Sequence, residues 1–257
     1  MDKWNSELCG ADYRPALTVR SFGSRGKSIR IAGHTTGRVH HFFSMVEESA
    51  FLLYDWLPDV SDIREQYALE LDVTQAIAFE LGIAHITDRK SGKPHPVTTD
   101  LVLSRRVGSG EVTQVRSCKR SGDLGGSRTL QKLEIERQYW LRRGIEWKLV
   151  TERDLPDPLI RNLRWLHPFV QPSSVGIASE HLAYLIKNLH RRIQDQREKS
   201  LAYICTECDR SLGTEPGGHL ALARHAVASR QWRVDLHAEI DPSRPLLLRD
   251  DTSTEAS

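Results

Sequence analysis

Hydrophobic positions recur with the period of an α-helix in several stretches of the chain. The clearest stretch begins after Ser44 and ends at Pro58, a residue that cannot continue a helix. Its apolar positions, spaced i, i+4, i+7 and i+11, are Val46, Ala50, Leu53 and Leu57. Further helical patterns cover residues 74–82, 129–143, those that follow Ser179, and 218–230. Each of these stretches is predicted to be helical.

Two segments rich in β-branched and apolar residues predict a β-hairpin. They are 97–104 and 111–119, and Gly108-Ser109-Gly110 supplies the turn between them. Residues early in the first strand and late in the second are therefore expected to meet at one edge of a sheet. Shorter strand-like patterns occupy 61–71, 146–152 and Trp232–Leu236.

A cluster of prolines indicates a domain boundary near residue 170. Pro156, Pro158 and Pro168 precede Pro172-Ser173-Ser174. Beyond them, helices followed by a strand predict a small, mainly helical, winged-helix-like domain. The predicted segments are a flexible amino-terminal arm (1–30), a core domain (31–170), a carboxyl-terminal domain (171–247) and a disordered tail (248–257).

The composition is that of a globular protein, with 39% hydrophobic and 27% charged residues. Four cysteines are too few and too scattered for a disulfide scaffold, which favours a reducing compartment. The first residues, MDKWNSELCG, lack the basic and apolar regions of a signal peptide. No apolar run approaches the ~20 residues of a membrane helix. A cytoplasmic location without membrane contact is therefore expected.

Net charge is only +2, but basic residues are concentrated near the amino terminus. Residues 1–45 contain seven lysines and arginines against three acids, a local excess of four. A phosphate-contacting arm and an ordinary solvated segment both account for this excess. The candidates for DNA contact are Lys27, Arg30, Arg38, His40 and His41. A structural role for at least one of the two histidines is an equally good interpretation.

Charged residues near the ends of the predicted hairpin strands are candidates for a metal-dependent site. Asp100 lies on the first strand and Lys119 ends the second, and strand alternation places Ser117 on the same face as Lys119. Glu47, in the first turn of the preceding helix, can supply a second carboxylate. Carboxylates hold a hard divalent cation with open positions for water and phosphate, and a lysine can steady developing charge. This combination suits the cutting of DNA.

Each of these residues also has a structural interpretation. The segment SMVE (44–47) fits a capping box, in which the glutamate only satisfies backbone donors. Asp100 can be a surface strand residue, and Lys119 a solvated strand end. Glu134 and Glu136, on the 129–143 pattern, are interpreted as solvated helix residues, and the alternative is that either approaches the site to support its ligands.

Four stretches together resemble the TnsA family, the endonuclease subunits of heteromeric transposases. They are TGRVHHFFSMVE (36–47), DWLPDVSDIREQY (55–67), TTDLVL (98–103) and RTLQKLEIERQYWLRRGIEW (128–147). GRVHH, DIREQ and LEIERQYW, in this order, make the match specific. The similarity covers about residues 10–170, and the carboxyl-terminal third is not matched with the same clarity.

The resemblance implies an α/β, restriction-endonuclease-like catalytic domain over residues 31–170, with a mixed sheet flanked by helices. It implies a bacterial DNA endonuclease that uses Mg²⁺, with Mn²⁺ able to substitute, to cut the 5′ ends of a transposon. The implied partners are transposon-end DNA, a TnsB-like transposase that cuts and joins the 3′ ends, and a TnsC-like AAA+ regulator. In the family, the regulator engages the carboxyl-terminal region.

The family's catalytic glutamate, aspartate and lysine match Glu47, Asp100 and Lys119. Its members carry Gln-x-Lys where this chain has Ser117-Cys118-Lys119. Serine is shorter and a weaker ligand, so Ser117 is expected to assist a metal only through its hydroxyl, a water or the backbone, and the number of ions stays open. Mg²⁺ keeps several waters, so two carboxylates can suffice. Because of Ser117, a non-catalytic scaffold remains an alternative, as does a stand-alone restriction or repair nuclease of the same fold.

Cys205-Thr-Glu-Cys208 is followed by His219 and His225, a spacing close to that of zinc ligands. Both histidines fall in an alanine-rich helical stretch, and the spacing is shorter than the usual zinc-finger interval. Small packing residues are the favoured interpretation of Cys205 and Cys208. A bound zinc ion is the alternative.

Overall fold

Two compact units make up the part of the chain that the structure describes. This computed structural model describes residues 8–19, 28–88, 92–177 and 179–249. The first unit ends at Leu155 and the second begins at Pro156. The prolines that indicated a boundary further along the chain start helices instead. Pro158 lies in the first turn of an α-helix, and Pro168 and Pro172 lie in the first turns of short 3-10 helices. A proline fits there because its missing N–H would have no partner in the helix.

A mixed four-stranded sheet with helices around it dominates the first unit. The strands of this unit are β1 (Ile29–Ala32), β2 (Val39–Phe42), β3 (Val60–Ala68), β4 (Thr98–Val107), β5 (Gly110–Cys118) and β6 (Glu146–Val150). Its helices are α1 (Met45–Trp56), α2 (Leu71–Glu80) and α3 (Ser127–Leu141). The sheet order is β3-β4-β5-β6, with β5 and β6 parallel and the other neighbours antiparallel, while β1 and β2 form a separate hairpin. The predicted α/β class and mixed sheet are confirmed.

The β4–β5 hairpin brings the candidate site residues to its open end. The predicted hairpin is confirmed, and its antiparallel register pairs Leu101 with Arg116. Asp100 precedes the first of these residues and Ser117 follows the second, so the two lie next to each other on neighbouring strands. The apolar side chains packed between the sheet and the helices include Ile77, Val102, Val115, Ile135 and Trp140. Their burial fixes α3 against the strands that carry the site.

The amino-terminal segment lies along the edge strand β3. The hydroxyl of Tyr13 donates to the backbone oxygen of Glu65 at 3.0 Å, and the N–H of Ala16 donates to the backbone oxygen of Gln66 at 3.1 Å. Tyr13 is fully buried. This part of the predicted flexible arm is therefore packed, and it covers polar groups of a sheet edge that would otherwise be open. Arm residues 1–7 and 20–27 lie outside the described residues.

Helices dominate the described part of the second unit, and an irregular segment, 231–249, follows them. They are α4 (Asp157–Leu166), α5 (Ser179–Asp195), α6 (Leu201–Leu212) and α7 (Gly218–Ala228). The mainly helical character of the carboxyl-terminal domain is confirmed, and α6 is a helix that the apolar spacing did not predict. Among the described residues of the whole chain, no helix is long and apolar enough to cross a membrane.

The strand predicted at Trp232–Leu236 is wrong. The backbone carbonyls of Leu236 and Ala238 accept bonds from the side-chain amide of Asn162, at 2.9 and 2.7 Å, instead of pairing with a strand. Trp232 is buried, which explains the apolar pattern of the segment without a sheet. The described part of the second unit therefore has no wing strand. Tail residues 250–257 lie outside the described residues.

Candidate active site

Asp100 and Lys119 meet at the open end of the β4–β5 hairpin. Lys119 Nζ donates to Asp100 Oδ2 at 2.9 Å and to the backbone oxygen of Cys118 at 2.8 Å. The N–H of Cys118 donates to the same oxygen of Asp100 at 2.7 Å. Asp100 is only 7% exposed, so it is not a surface strand residue. Lys119 is ion-paired rather than a solvated strand end.

Glu47 serves both the start of α1 and the site. The Ser44 hydroxyl accepts from the N–H of Glu47 at 3.2 Å and donates to Glu47 Oε1 at 2.8 Å. The N–H of Phe43 donates to Glu47 Oε2 at 3.0 Å, so the carboxylate caps the residue before Ser44. Glu47 is nevertheless only 5% exposed and lies close enough to Asp100 to be affected by its charge. Its capping role therefore does not exclude a role in the site.

A third buried carboxylate, Glu136 of α3, joins these residues. It is 4% exposed and accepts a hydrogen bond from the hydroxyl of Ser117 on β5. The interpretation of Glu136 as a solvated residue is wrong. The signal was present in the sequence, because Glu136 falls three residues after Leu133 and four before Trp140, both of which are buried. Glu134, by contrast, is partly exposed and paired with an arginine on its own helix.

Asp100 repels both glutamates in a poorly solvated site. Burial raises the pKa of Glu47 to about 7, and the charge of Asp100 adds to this effect. The same two causes raise the pKa of Glu136 to about 7. Burial alone would lower the pKa of Lys119, but the neighbouring Asp100 carboxylate outweighs it and the pKa is raised. Lys119 therefore stays positively charged, and one cation faces three acids.

Gln66 of β3 is a polar residue of the site that the sequence did not reveal. It is 3% exposed, and its Nε2 donates to Glu47 Oε2 at 3.2 Å. Gln66 ends the DIREQ motif (62–66), but neither the motif nor the strand-like pattern assigned it a role or predicted its burial. Its burial depends on α1 approaching β3, a contact that a local pattern cannot show.

A cleft of about 500 Å³ opens beside the buried acids. Its walls include Asp100, Lys119 and Glu136 together with two exposed residues, His95 and Lys132. The exposed lining is not uniformly basic, because it also includes Asp123. Buried carboxylates that attract cations, beside the positive charges of Lys119 and Lys132 that attract phosphate, suit a phosphodiester backbone.

Comparison with known proteins covers both units. A family model described as TnsA-like endonuclease N terminal matches residues 57–152, and one described as TnsA endonuclease C terminal matches residues 154–236. The transposon Tn7 transposition protein TnsA of Escherichia coli is 34% identical over 220 residues, which is 86% of this chain and 78% of that protein. The chain belongs to the TnsA family.

The TnsA family models divide the chain where the structure does, between 152 and 156. Asp100, Ser117, Lys119 and Glu136 fall within the match to the amino-terminal model, and Glu47 precedes it. The carboxyl-terminal third, where the motif resemblance was unclear, matches a TnsA model of its own. Membership of this endonuclease family supports nuclease activity and, in general terms, a divalent metal cofactor.

In this TnsA-family chain, two of the predicted DNA contacts turn inward. Arg38 Nη1 donates to Glu65 Oε1 at 2.9 Å, and His40 Nδ1 lies 2.8 Å from Glu65 Oε2. The side chains of Arg38 and His40 are 8% and 0% exposed. Neither residue is placed to contact a DNA phosphate, because the side chains of both bind the buried carboxylate of Glu65 on β3.

Arg30 and His41 lie opposite each other on the β1–β2 hairpin, and their environments differ. Arg30 is exposed, as a phosphate contact requires. His41 is partly buried, its Nδ1 accepts from the N–H of Val19 at 3.4 Å, and burial lowers its pKa, so it is neutral at pH 7. Lys27 lies outside the described residues. Of the predicted contacts that are described, Arg30 has the environment that best suits DNA.

The four candidate zinc ligands of the second unit, Cys205, Cys208, His219 and His225, have environments typical of packing residues. Cys205 and Cys208 are buried on α6, and burial raises the pKa of Cys205 to about 12. His219 Nδ1 lies 2.6 Å from Asp209 Oδ1, and His225 Nδ1 lies 2.7 Å from a backbone oxygen. Among the described residues, these four do not supply three ligand atoms within 4.8 Å of one another.

Proposed function

We propose that this chain is the transposase subunit that cuts the 5′ ends of a transposon with Mg²⁺. The observation that carries the proposal is the group of buried carboxylates around Lys119, in a chain of the TnsA family. We assign Glu47, Asp100 and Lys119 as catalytic residues and add Glu136. The proposed partners are transposon-end DNA, a TnsB-like transposase and a TnsC-like AAA+ regulator.

The side chains of the site fit a hard divalent cation. Carboxylate oxygens are the ligands that Mg²⁺ prefers, and Mn²⁺ is expected to substitute because it favours the same ligands. A cation that replaces the protons of Glu47 and Glu136 would relieve the repulsion that raises their pKa values. The ligand oxygens of the three acids are not all within 4.8 Å of one another. We therefore assign the cation to pairs of carboxylates that share Asp100.

Ser117 is the weakest of the proposed metal ligands. Its hydroxyl proton is donated to Glu136, so only its oxygen lone pairs remain for a cation. The same hydrogen bond holds Glu136 in place against β5. We infer that Ser117 acts through Glu136, which supplies the stronger ligand that the family has at position 117.

When bound there, the divalent ion would supply Lewis-acid stabilisation of phosphate charge and a more acidic water. Asp100 fixes the ammonium group of Lys119 through their ion pair. The charged Lys119 donates to the scissile phosphate or to the attacking water and stabilises the negative charge that develops. Because the pKa of Lys119 is raised in the metal-free chain, we assign it the stabilisation of charge rather than the role of general base.

Basic groups outside the buried site are the proposed contacts for DNA phosphates. Arg30 is exposed on β1, Lys132 lines the cleft, and Lys27 is retained from the sequence. His41 is retained only as a neutral hydrogen-bonding group. We assign catalysis to the first unit and contact with partners or DNA to the second.

The two alternatives are less well supported. A non-catalytic scaffold was suggested by Ser117, but the carboxylates and Lys119 of this chain keep an unbalanced charge that a scaffold has no need of. A stand-alone restriction or repair nuclease does not account for the similarity to a transposition protein over both units.

The test is strand-specific cleavage of a transposon-end duplex with Mg²⁺, with and without the cognate transposase and AAA+ regulator. We expect nicks at the 5′ ends only when the partners are present. Lys119→Ala should remove them, whereas Lys148→Ala, an exposed lysine of β6, should not. Absence of 5′ cutting by the wild type, with 3′ joining intact, would show a scaffold. Full cutting without partners would show a stand-alone nuclease.

A further inference from the structure

Gln66 has an unusual backbone conformation at the point where β3 passes the site. Its φ is +49°, and only one other non-glycine residue in the described ranges, Arg230, has a positive φ. A side chain rarely adopts this left-handed conformation because Cβ crowds the following carbonyl. Strain of this kind persists only where the surroundings enforce it, and it is concentrated at functional sites.

The strained residue stands opposite Asp100. Glu65 pairs with Leu101 and Tyr67 pairs with Thr99, which places Gln66 between these two pairs and across from the aspartate. The pairing of β3 with β4 skips this position, and the same ladder has one further irregularity, between Val60 and Asp62 at the start of β3. The distortion of β3 is thus at the level of the carboxylate that holds Lys119.

The side chain of Gln66 points to the second carboxylate of the site. It is buried, its Nε2 donates to Glu47 Oε2 at 3.2 Å, and the hydroxyl of Thr98 donates to its Oε1 at 3.4 Å. Three donors then hold the Glu47 carboxylate: the Ser44 hydroxyl, the Phe43 N–H and the Gln66 amide. Of these, only the amide comes from the sheet rather than from the helix start.

Neighbouring contacts hold the strand in place around Gln66. Its carbonyl accepts from the N–H of Ala16, and the carbonyl of Glu65 accepts from the hydroxyl of Tyr13. The side chain of Glu65 is fixed by Arg38 and by His40. The chain on the amino-terminal side of Gln66 is thus fixed on both its backbone and its side chain, which is what a strained conformation requires.

We propose that Gln66 is a positioning residue: its left-handed backbone aims its amide at Glu47 and orients that carboxylate for the metal ion. The inference rests on the proposed function. Hydrogen bonds to a ligand's own oxygens fix the ligand's direction and are a recognised determinant of metal affinity. Gln66 itself is not assigned as a ligand or as a catalytic residue.

The experiment compares two variants that separate the amide from the backbone strain. Gln66→Met keeps the length of the side chain and removes the donor. Gln66→Gly removes the side chain and adopts a positive φ without strain. Mn²⁺ affinity of the full chain is measured by titration calorimetry, and the melting temperature is measured without metal. We expect both variants to bind Mn²⁺ about 10- to 100-fold more weakly than the wild type. Gln66→Gly should melt no lower than Gln66→Met.

The control is Arg230→Gly, which relieves the other positive φ and should leave Mn²⁺ affinity unchanged. Wild-type Mn²⁺ affinity in both Gln66 variants would overturn the role of Gln66 alone. So would a loss of affinity in Gln66→Met that is restored in Gln66→Gly, since strain and not the amide would then matter. A wild-type chain that binds Mn²⁺ no better than Asp100→Asn would overturn the proposed function and this inference with it.

Discussion

Two groups of buried charge lie in the first unit, one around Glu65 of β3 and one around Asp100 of the neighbouring strand β4, and they are built in opposite ways. In the Glu65 cluster (Glu65, Arg38 and His40), burial alone would raise the pKa of the carboxyl, but hydrogen bonds from His40 and Arg38 lower it to about 2. In the Asp100 cluster (Asp100, Glu47, Glu136 and Lys119), burial and the charge of Asp100 raise the pKa of both glutamates to about 7. The carboxylate of the first cluster is paired with cationic and hydrogen-bonding groups of the protein, whereas the carboxylates of the second cluster outnumber their one cation.

This difference distinguishes buried charges that stabilise the fold from buried charges that serve the proposed active site. A buried carboxylate whose charge is fully matched stabilises the fold against its own removal, because its partners would be left unpaired. A buried carboxylate that lies close to other carboxylates destabilises the metal-free protein. Such an arrangement is typical of a functional site, where a bound ligand offsets the repulsion. We therefore expect substitutions in the Glu65 cluster to affect unfolding, and those in the Asp100 cluster to affect metal binding and cleavage.

The largest effect is expected from Asp100→Asn. The substitution preserves shape and removes the charge that organises Lys119 and both glutamates. Losing several kcal/mol of metal-assisted stabilisation should reduce cleavage by about 1,000-fold or more, as measured by single-turnover nicking of a transposon-end duplex. The substitution should lower the midpoint of urea unfolding far less than it lowers the cleavage rate. Asp123→Asn, an exposed acid of the same cleft, is the control and should cut at the wild-type rate. Equal rates in the two variants would remove Asp100 from the site.

The next effect is on stability, from Glu65→Gln. The amide cannot match both Arg38 and His40, and it leaves a buried guanidinium without its counter-charge. Breaking a buried ion pair in this way should lower the free energy of unfolding by about 3 to 5 kcal/mol, measured by urea denaturation at pH 7. Glu111→Gln, at an exposed acid, should change it by about 0.5 kcal/mol or less. A wild-type urea midpoint for Glu65→Gln would mean that the cluster contributes nothing net.

The sequence predicted those features of the site that local patterns determine. The hairpin that joins Asp100 to Lys119 follows from strand composition and a glycine turn, and α1 follows from its apolar spacing and Ser44. The identity of the fold and of the chemistry came from the TnsA motifs, because charged residues on two strands occur in many proteins without a site.

Burial of charged residues was the part that the sequence could not supply. Arg38 and Glu65 are 27 residues apart and meet only when the β1–β2 hairpin packs on β3. A basic residue before a helix suggests phosphate contact until that partner is known. Glu136 is the instructive exception, since its spacing from Leu133 and Trp140 placed it on the buried face of α3 and only its charge argued otherwise.

Opposite pH dependences should separate the two clusters without DNA. The raised pKa values of Glu47 and Glu136 mean that the metal-free fold holds their protons more tightly than the unfolded chain does. Stability should therefore fall by about 2 to 3 kcal/mol for each glutamate as pH rises from their ordinary pKa of 4.5 to about 7. Glu65 has a lowered pKa, so its contribution is present above 4.5 and is lost as pH falls towards 2.

Melting curves between pH 3 and 8 would measure both slopes. Removing the two titrating acids in Glu47→Gln/Glu136→Gln should abolish the fall towards neutral pH and leave the acid limb unchanged. Mg²⁺ at about 100-fold above its dissociation constant should restore about 2.7 kcal/mol at pH 8 in the wild type, and nothing in the double variant. Equal Mg²⁺ shifts in the two proteins would place the ion elsewhere.

The smallest effect is expected at Arg30, and it tests whether the amino-terminal basic residues divide as the structure indicates. Arg30 is exposed, so Arg30→Ala should weaken duplex binding a few-fold and reduce the dependence of log affinity on log salt by about one. Arg38→Ala should destabilise the fold and leave that slope unchanged in molecules that remain folded, because its guanidinium already faces Glu65. Fluorescence anisotropy over a salt series measures both variants. A reduced slope for Arg38→Ala would mean that the Arg38–Glu65 pair opens and lets Arg38 contact phosphate. The Glu65 cluster would then have a role in DNA binding as well as in stability.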